Sequence, residues 1–192
     1  ARQDDIQRVV REWVDGQRKY WKDLKPDELD ELERFYEKLR DPSLRGRILE
    51  LVGPTRWDRD GPPKLDDLVA AIVKEPAALF DLWAWLTSGK AGEAWLLGEE
   101  LARADADERL LDRMLATRDT GVDLRLIAGY VDVVAKVKGE DWLETVLDKV
   151  ESVYHDRPEV VIDLVWRCAS TARGVDRIRR IVKADAALGA EV

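Results

Sequence analysis

The stretch Lys90-Ala-Gly-Glu93-Ala-Trp95-Leu96 returns later in the chain as Lys138-Gly-Glu140-Asp-Trp142-Leu143. The tryptophans of the two copies lie 47 positions apart (142 − 95). Self-similarity at a fixed interval of about 20 to 50 residues is the sequence signature of repeated structural units, many of which are pairs of helices. The stretch therefore predicts stacked helix pairs.

Hydrophobic periodicity predicts helices along almost the whole chain, because apolar residues recur at i, i+3, i+4 and i+7 in one segment after another. The first segment carries Ile6 and Trp13. A second begins at Pro26 and is broken at Asp41-Pro42, and a third ends at Gly53-Pro54. No segment alternates apolar and polar residues over six or more positions, so no strand is predicted. We therefore expect an all-α protein.

After residue 63 the same periodicity predicts helices over residues 65–72, 79–86, 92–118, 122–137, 140–155, 158–172 and 174–187. The segment 92–118 is long enough to break near Asp105. The segment 158–172 is apolar around more than half of its circumference, through Val160, Val161, Ile162, Leu164, Val165, Trp166, Cys168 and Ala169. Such a helix is covered on more than one side, so we expect it in the inner layer of a stack.

A second repeated pattern begins at two prolines. Pro76 is followed by Asp81-Leu82 and two tryptophans, and Pro158 is followed by Asp163-Leu164 and Trp166. If two repeats separate these prolines, each repeat is 41 residues long, (158 − 76)/2. Helix pairs at intervals of 41 to 47 residues resemble the HEAT and armadillo class of repeats, and this resemblance of architecture covers residues 64–187. It implies a stacked array of antiparallel helix pairs. An irregular multi-helix bundle is the alternative.

A long loop divides the chain. Residues 53–63 read Gly-Pro-Thr-Arg-Trp-Asp-Arg-Asp-Gly-Pro-Pro, and prolines and glycines at this density mark a connection. We predict an N-terminal helical subdomain or cap over residues 1–52, a linker over 53–63 and an αα-repeat domain over 64–192. The chain begins at Ala1 without an initiator methionine, which fits either removal of the methionine or a domain of a larger protein, and we favour the domain.

Composition limits the class of protein. With 192 residues, 45% of them apolar and 38% charged, the chain is long enough for a sizeable core and too apolar for a disordered protein. Its one cysteine excludes an intramolecular disulfide framework. No stretch approaches the roughly 20 apolar residues that a membrane helix needs. We therefore expect a cytoplasmic protein with no membrane contact.

The net charge of −8 is distributed unevenly. Residues 1–60 are near neutral, with 14 basic and 15 acidic side chains. Residues 61–156 hold 11 basic against 20 acidic side chains, whereas residues 157–183 hold 7 basic against 3 acidic ones. The middle of the chain is therefore expected to repel polyanions, and the part near its C-terminus to attract them.

No catalytic or cofactor motif stands out. His155 is the only histidine, which excludes a metal site of two or more histidines within one chain. Cys168 has apolar neighbours, a setting that raises the pKa of a thiol and favours core packing over nucleophilic chemistry. Asp58-Arg59-Asp60-Gly61 is similar to the start of a calcium loop, but Pro62 and Val69 stand where further ligands belong. We predict no catalytic residue, no metal site and no cofactor.

One candidate binding site lies in the long loop. Trp57 stands there between Arg56 and Arg59, and tryptophan and arginine are the residue types enriched in interface hot spots. These three residues are therefore candidates for contact with a protein partner. The alternative is that Trp57 folds back over the first repeat and seals its end.

A second candidate site is a stripe of arginines near the C-terminus. Arg173, Arg177 and Arg180 are spaced by four and three residues, which places them on one helix face. They are candidates for binding an anion such as phosphate, nucleic acid or an acidic partner helix. A solvated face is the alternative, and the acidic middle of the chain is a further candidate partner for these arginines.

The sequence as a whole favours a non-enzymatic protein-interaction or scaffold module, of regulatory type if it belongs to a larger protein. Its mechanism would be the burial of aromatic anchors within a charged rim. The second interpretation is a nucleic-acid-binding helical domain that uses the C-terminal arginines, although the net charge disfavours it. The third is a metal-dependent hydrolase, since metal hydrolysis can run on carboxylates alone.

Overall fold

The computed structural model of the protein describes residues 6, 9–10, 12–14, 16–17, 22–53, 64–117, 123–168 and 171–184. Within these ranges all regular secondary structure is helical and no strand occurs. The prediction of an all-α protein is therefore confirmed. None of the helices in this described part is long and apolar enough to cross a membrane.

The chain forms two compact units, residues 1–50 and residues 51–192. The division falls within the helix Leu44–Val52, and the predicted linker at 53–63 lies, apart from Gly53, outside the described residues. The first unit contains α1 (Pro26–Leu39) and most of α2 (Leu44–Val52). The predicted helix start at Pro26 is confirmed.

The turn between α1 and α2 is held by side chains of the first unit. The hydroxyl of Tyr36 donates to Glu50 Oε1 at 2.9 Å, and Arg40 Nε donates to Glu50 Oε2 at 3.1 Å. Asp41 Oδ1 accepts from the backbone N–H of Ser43 at 2.9 Å. Hydrogen bonds from Ser43 lower the pKa of Asp41, so this carboxylate stays ionised where it ends one helix and precedes the next.

The second unit contains nine helices among its described residues. They are α3 (Asp66–Lys74), α4 (Ala77–Asp81), α5 (Trp83–Leu86), α6 (Ala94–Ala104), α7 (Arg109–Ala116), α8 (Arg125–Lys138), α9 (Glu140–Val153), α10 (Pro158–Cys168) and α11 (Ala172–Ala184). The core of the unit is built from the apolar faces of these helices, with buried Leu, Ile, Val and Ala side chains throughout.

Seven of the nine described helices of the second unit follow one another along two lines of contact, which we call rows, and α4 and α5 belong to neither. In the first row α3 packs on α6, α6 on α8 and α8 on α10. In the second row α7 packs on α9, and α9 is joined to α11 by ion pairs. The rows contact each other where α8 meets α9 and where α10 meets α9 and α11.

The closest contact in the second unit joins α6 to α8. A Cβ atom on Gly98 would overlap the carbonyl oxygen of Leu126, and a Cβ atom on Gly129 would overlap the carbonyl oxygen of Trp95. The two helix backbones therefore touch directly, which is possible only because neither position carries a side chain.

The predicted break near Asp105 is confirmed, since α6 ends at Ala104 and α7 begins at Arg109. Asp105 is buried and organises the break. Its Oδ2 atom accepts from the backbone N–H of Leu110 at 2.7 Å and from the hydroxyl of Tyr130 at 2.9 Å. The carboxylate thus caps α7 and ties it to α8 at the same time.

The two similar stretches around Trp95 and Trp142 do not mark equivalent helices. Trp95 lies on α6 in the first row, whereas Trp142 lies on α9 in the second row. The helices α6, α8 and α10 begin 31 (125 − 94) and 33 (158 − 125) residues apart, so neither 47 nor 41 recurs between them. The two indoles also have different partners, because Trp95 Nε1 donates to Glu99 on its own helix and Trp142 Nε1 donates to Glu108 before α7.

Candidate functional site

The most exposed aromatic side chain among the described residues is on α10. Val160, Val161, Leu164 and Val165 are buried, whereas 76% of Trp166 is exposed. The sequence interpretation that counted Trp166 among the covered residues of this helix is therefore wrong for this residue. The reason is helical register: Trp166 falls outside the stripe of buried residues that faces the core.

One contact fixes the orientation of α10. The thiol of Cys168 donates to the carbonyl oxygen of Ala128 at 3.3 Å, which marks the side that faces α8. Positions 166 and 168 differ by about 200° around an α-helix. Trp166 and Ile162, one turn before it, therefore point away from α8, in the direction in which the first row ends.

An apolar stripe on α11 points away from α9. Val175 is 45% exposed, and Ile178 and Val182 are half-buried. Positions i, i+3 and i+7 share one helix face, and this stripe lies opposite the arginines of α11 that contact α9. We call the surface formed by these two helices the end face, and it consists of Ile162, Trp166, Val175, Ile178 and Val182.

An open cavity of about 340 Å³ borders the end face on α10. Its lining residues are Ser88, Gly89, Asp123, Arg125, Asp163 and Arg167. The four charged side chains, which we call the Arg–Asp cluster, form two ion pairs, because Arg125 Nη2 lies 2.7 Å from Asp123 Oδ2 and Arg167 Nε lies 2.8 Å from Asp163 Oδ2.

Arg125 is committed to structure within this cluster. It donates to the carbonyl oxygen of Gly89 at 3.2 Å and to that of Gly92 at 3.4 Å, so it fastens the start of α8 to the loop before α6. Burial raises the pKa of Asp123, but the hydrogen bonds from Arg125 outweigh this, and the net pKa is lowered. Asp123 is thus a permanent anion at neutral pH.

Arg167 differs from Arg125 in its use of donors. Its Nε atom donates to Asp163, and this bond is the first cause of a raised pKa of Arg167. None of its hydrogen bonds to the described residues uses the two Nη atoms. Within the described part of the chain Arg167 therefore presents unpaired Nη donors beside the exposed indole of Trp166, and the pair combines two of the residue types enriched in hot spots.

The loop candidates Arg56, Trp57 and Arg59 lie outside the described residues. Their role in partner binding stays a prediction.

The arginine stripe of α11 is occupied by carboxylates of α9. Arg177 is 7% exposed and lies within 2.7 Å of Glu144, Asp148 and Glu151. The neighbouring arginines are paired as well, Arg180 with Glu151 at 2.5 Å and Arg173 with Asp141 at 2.7 Å. An external anion would have to displace these carboxylates, so anion binding by this stripe stays a prediction.

Cys168, His155 and possible metal ligands are the other chemical candidates that the sequence contains. Burial raises the pKa of the Cys168 thiol to about 12, so it is a poor nucleophile at neutral pH. His155 is exposed just beyond α9, with Nδ1 3.2 Å from the carbonyl oxygen of Ser152, as expected for a residue at a helix C-terminus. Among the described residues no three His, Cys, Asp or Glu side chains are placed to hold a metal ion.

Sequence reasoning missed both the exposed indole and the Arg–Asp cluster. One signal for Trp166 was available, because the apolar positions 160, 161, 164, 165 and 168 form one stripe that leaves position 166 on the other side of the helix. The cluster had no such signal, since it joins residues from two segments about 40 positions apart in the chain.

Comparison of the chain with protein-family models, with curated proteins and with solved structures found no match. The function must therefore be argued from the site itself.

Proposed function

We propose that the protein is a non-enzymatic interaction module of scaffold or regulatory type. In this proposal the two rows of the second unit form an irregular αα-repeat array of the HEAT-like kind. The support for the array is that each of α6, α8 and α10 packs on the preceding helix of its row. Arrays of this kind present extended surfaces to partners.

The observation that carries the proposal is the exposure of Trp166. A tryptophan that is 76% exposed leaves a large apolar area in water, which is unfavourable unless a partner covers it. The free Nη donors of Arg167 beside it supply polar recognition. A buried aromatic anchor with a polar rim is the usual anatomy of a protein interface.

The nucleic-acid alternative receives less support. Its proposed contacts are the C-terminal arginines, and the nearest carboxylates already neutralise Arg173, Arg177 and Arg180. A net charge of −8 adds long-range repulsion of a polyanion.

Quantitative affinity capture tests the proposed function. The full chain serves as bait in a lysate of its source, with and without nuclease, beside the variants Trp166→Ala and Trp13→Ala. Trp13 is the matched control, because it is also an exposed tryptophan, at 46%, but belongs to the first unit. We expect Trp166→Ala to lose at least about tenfold in captured partner, as for a hot-spot residue, and Trp13→Ala to keep it.

Two results would contradict the proposal. Equal capture by the wild type and Trp166→Ala would remove the end face from the interface. Recovery of nucleic acid alone, lost after nuclease treatment, would favour the nucleic-acid interpretation instead. A third variant, Trp57→Ala, tests the loop candidates in the same experiment.

A further inference from the structure

The end face lies on the last helices of the two rows that the structure describes. Within the described ranges α6 is followed in its row by α8, and α8 by α10, and the main packing neighbours of α10 are α8, α9 and α11. In the second row α11 is the last described helix. The apolar residues at this end remain open, with Trp166 76% and Val175 45% exposed. A surface of this composition is suited to helices as its partner.

The charge of the surrounding helices limits what kind of molecule can approach. Residues 140–184, which comprise α9, α10 and α11, hold eight basic and nine acidic side chains and a net charge of −1. The other residues of the chain hold 24 basic and 31 acidic side chains and a net charge of −7. Two copies of the chain repel each other least where these near-neutral ends meet.

The rim of the end face is self-complementary. Asp163 and Arg167 form an ion pair on α10 at 2.8 Å, and Asp176 and Arg179 form another on α11 at 3.1 Å. Glu159, two turns before Trp166, adds an exposed acid on α10, and Lys183, two turns after Asp176, adds an exposed base on α11. The two helices together therefore border the apolar residues with three acids and three bases. Under two-fold symmetry every such acid can face a base of the other copy, so that no like charges are forced together.

We propose that the end face binds a second copy of this chain and forms a two-fold symmetric dimer. The helices α10 and α11 of one protomer pack on the same helices of its partner, which continues both rows across the two-fold axis. Trp166 is the apolar anchor of this interface. The inference rests on the proposed function, since it names the partner of the same face.

Sedimentation velocity of the full chain tests the dimer. The concentration series runs from below about 1 μM to above about 100 μM, which is roughly the range of weak to moderate affinities. The variants are Trp166→Glu and Val137→Glu. Val137 is the matched control, because it is 83% exposed on α8 and lies outside the end face. We expect a concentration-dependent dimer for the wild type and Val137→Glu. For Trp166→Glu we expect at least about a 30-fold weaker association, since a charge replaces the anchor of an apolar interface.

Circular dichroism and thermal melting of each variant establish that its helices are intact before the sedimentation results are compared. A wild type that stays monomeric over the whole range overturns the proposal. So does a dimer that Trp166→Glu leaves unchanged, because the second copy then binds elsewhere. A further variant is a chain that ends at Ala184. If only this shortened chain dimerises, residues 185–192 compete with the second copy for the end face, and the proposal is overturned as well.

Failure of the dimer is distinguishable from failure of the proposed function. A monomeric chain that still captures a different protein through Trp166 overturns the second copy as partner and leaves the interaction module standing. A Trp166-dependent dimer supports both. Capture that is independent of Trp166 contradicts the proposed function whatever the oligomeric state.

Discussion

Gly98 and Gly129 set the distance between α6 and α8. At both positions the backbone of the facing helix occupies the space that a Cβ atom would need. A flexible side chain could move aside from an added methyl group, but a helix backbone can do so only by shifting as a whole.

We predict that Gly98→Ala destabilises the protein by about 1 to 3 kcal/mol, the usual cost of overpacking a core. The sign of the change in the free energy of unfolding distinguishes this effect from helix propensity. Helix propensity alone would make the same substitution stabilising by about 1 kcal/mol, because alanine is the better helix former. Urea unfolding measures the difference, and a stabilised variant would refute the close contact between α6 and α8.

The tryptophans show how far a residue type can be interpreted from sequence. Trp83 is buried, Trp95 and Trp142 are half-buried with hydrogen-bonded indoles, and Trp166 is exposed. A tryptophan is suited both to core packing and to binding. Which role each one takes depends on its register relative to the core face of its helix, and for Trp142 on a glutamate 34 positions away.

At the scale of elements, α11 is attached to α9 by charge. Arg177 is 7% exposed and contacts three carboxylates of α9, whereas Arg173 is exposed and contacts only Asp141. Removing one partner from a buried ion pair leaves uncompensated charge, which is costly, but exposed pairs contribute little.

We predict that Arg177→Met destabilises the protein by about 3 kcal/mol, near the lower limit for a buried pair because the carboxylates stay partly in water. The matched control is Arg173→Met on the same helix, for which we expect less than about 1 kcal/mol. Chemical denaturation at neutral pH compares the two variants. Equal losses would show that the burial of Arg177 adds nothing to its ion pairs.

The same contact makes stability depend on pH. Hydrogen bonds from Arg180 are the largest cause that lowers the pKa of Glu151, and Arg177 lowers it further. A lowered folded-state pKa adds stability that is fully present above the ordinary glutamate value of about 4.3 and is lost as the pH falls through the folded-state value.

We therefore expect Glu151→Gln to be less stable than the wild type at pH 7 and to approach it as the pH falls below about 4.3. Thermal unfolding of both proteins between pH 3 and pH 7, a range of roughly 1.3 units below to 2.7 units above that value, measures the difference. A difference in stability that stays constant over this range would contradict the role of Glu151.

Helix ends could be predicted from sequence because their causes are local. Pro26 begins α1, Asp105 ends α6, and Gly139, with a φ of +87° that favours glycine, separates α8 from α9. Helix pairing could not be predicted in the same way. The similarity between the stretches around Trp95 and Trp142 is a property of local sequence. The rows depend instead on contacts between distant residues, such as Gly129 with Trp95, which lie 34 positions apart.

At the scale of the whole molecule, the second unit begins before the loop. The backbone N–H of Gly92 donates to the carbonyl oxygen of Gly53 at 3.0 Å, and that of Glu93 donates to Val52 at 3.3 Å. Val52 itself is fully buried. The last turn of α2 is thus part of the unit that starts at Leu51.

We predict that a fragment of residues 51–192 keeps its helical circular dichroism and unfolds cooperatively. A fragment of residues 64–192 is expected to be less stable by about 2 kcal/mol, because it lacks the buried valine and both hydrogen-bond acceptors. Thermal and urea unfolding of the two fragments measure the difference. Equal stability would place the boundary of the unit after the loop instead.

Net charge could be counted from sequence, but the residues that neutralise one another could not be chosen from it. The acidic middle was one candidate partner of the C-terminal arginines, beside an external anion and a solvated face. In the structure the helix 140–153 and the helix 172–184 use much of that charge on each other. Pairing of this kind needs three-dimensional proximity, and composition does not contain it.

The glycine contact between α6 and α8 also offers a way to recognise related chains. Gly98 and Gly129 each occupy the fifth position of their helix, 31 residues apart (129 − 98). Any descendant of the same ancestor that keeps these helices in contact must keep both positions free of a side chain, however far its surface has diverged. Two glycines at that interval, each one turn into an apolar helix, are a fingerprint that distant ancestry should preserve.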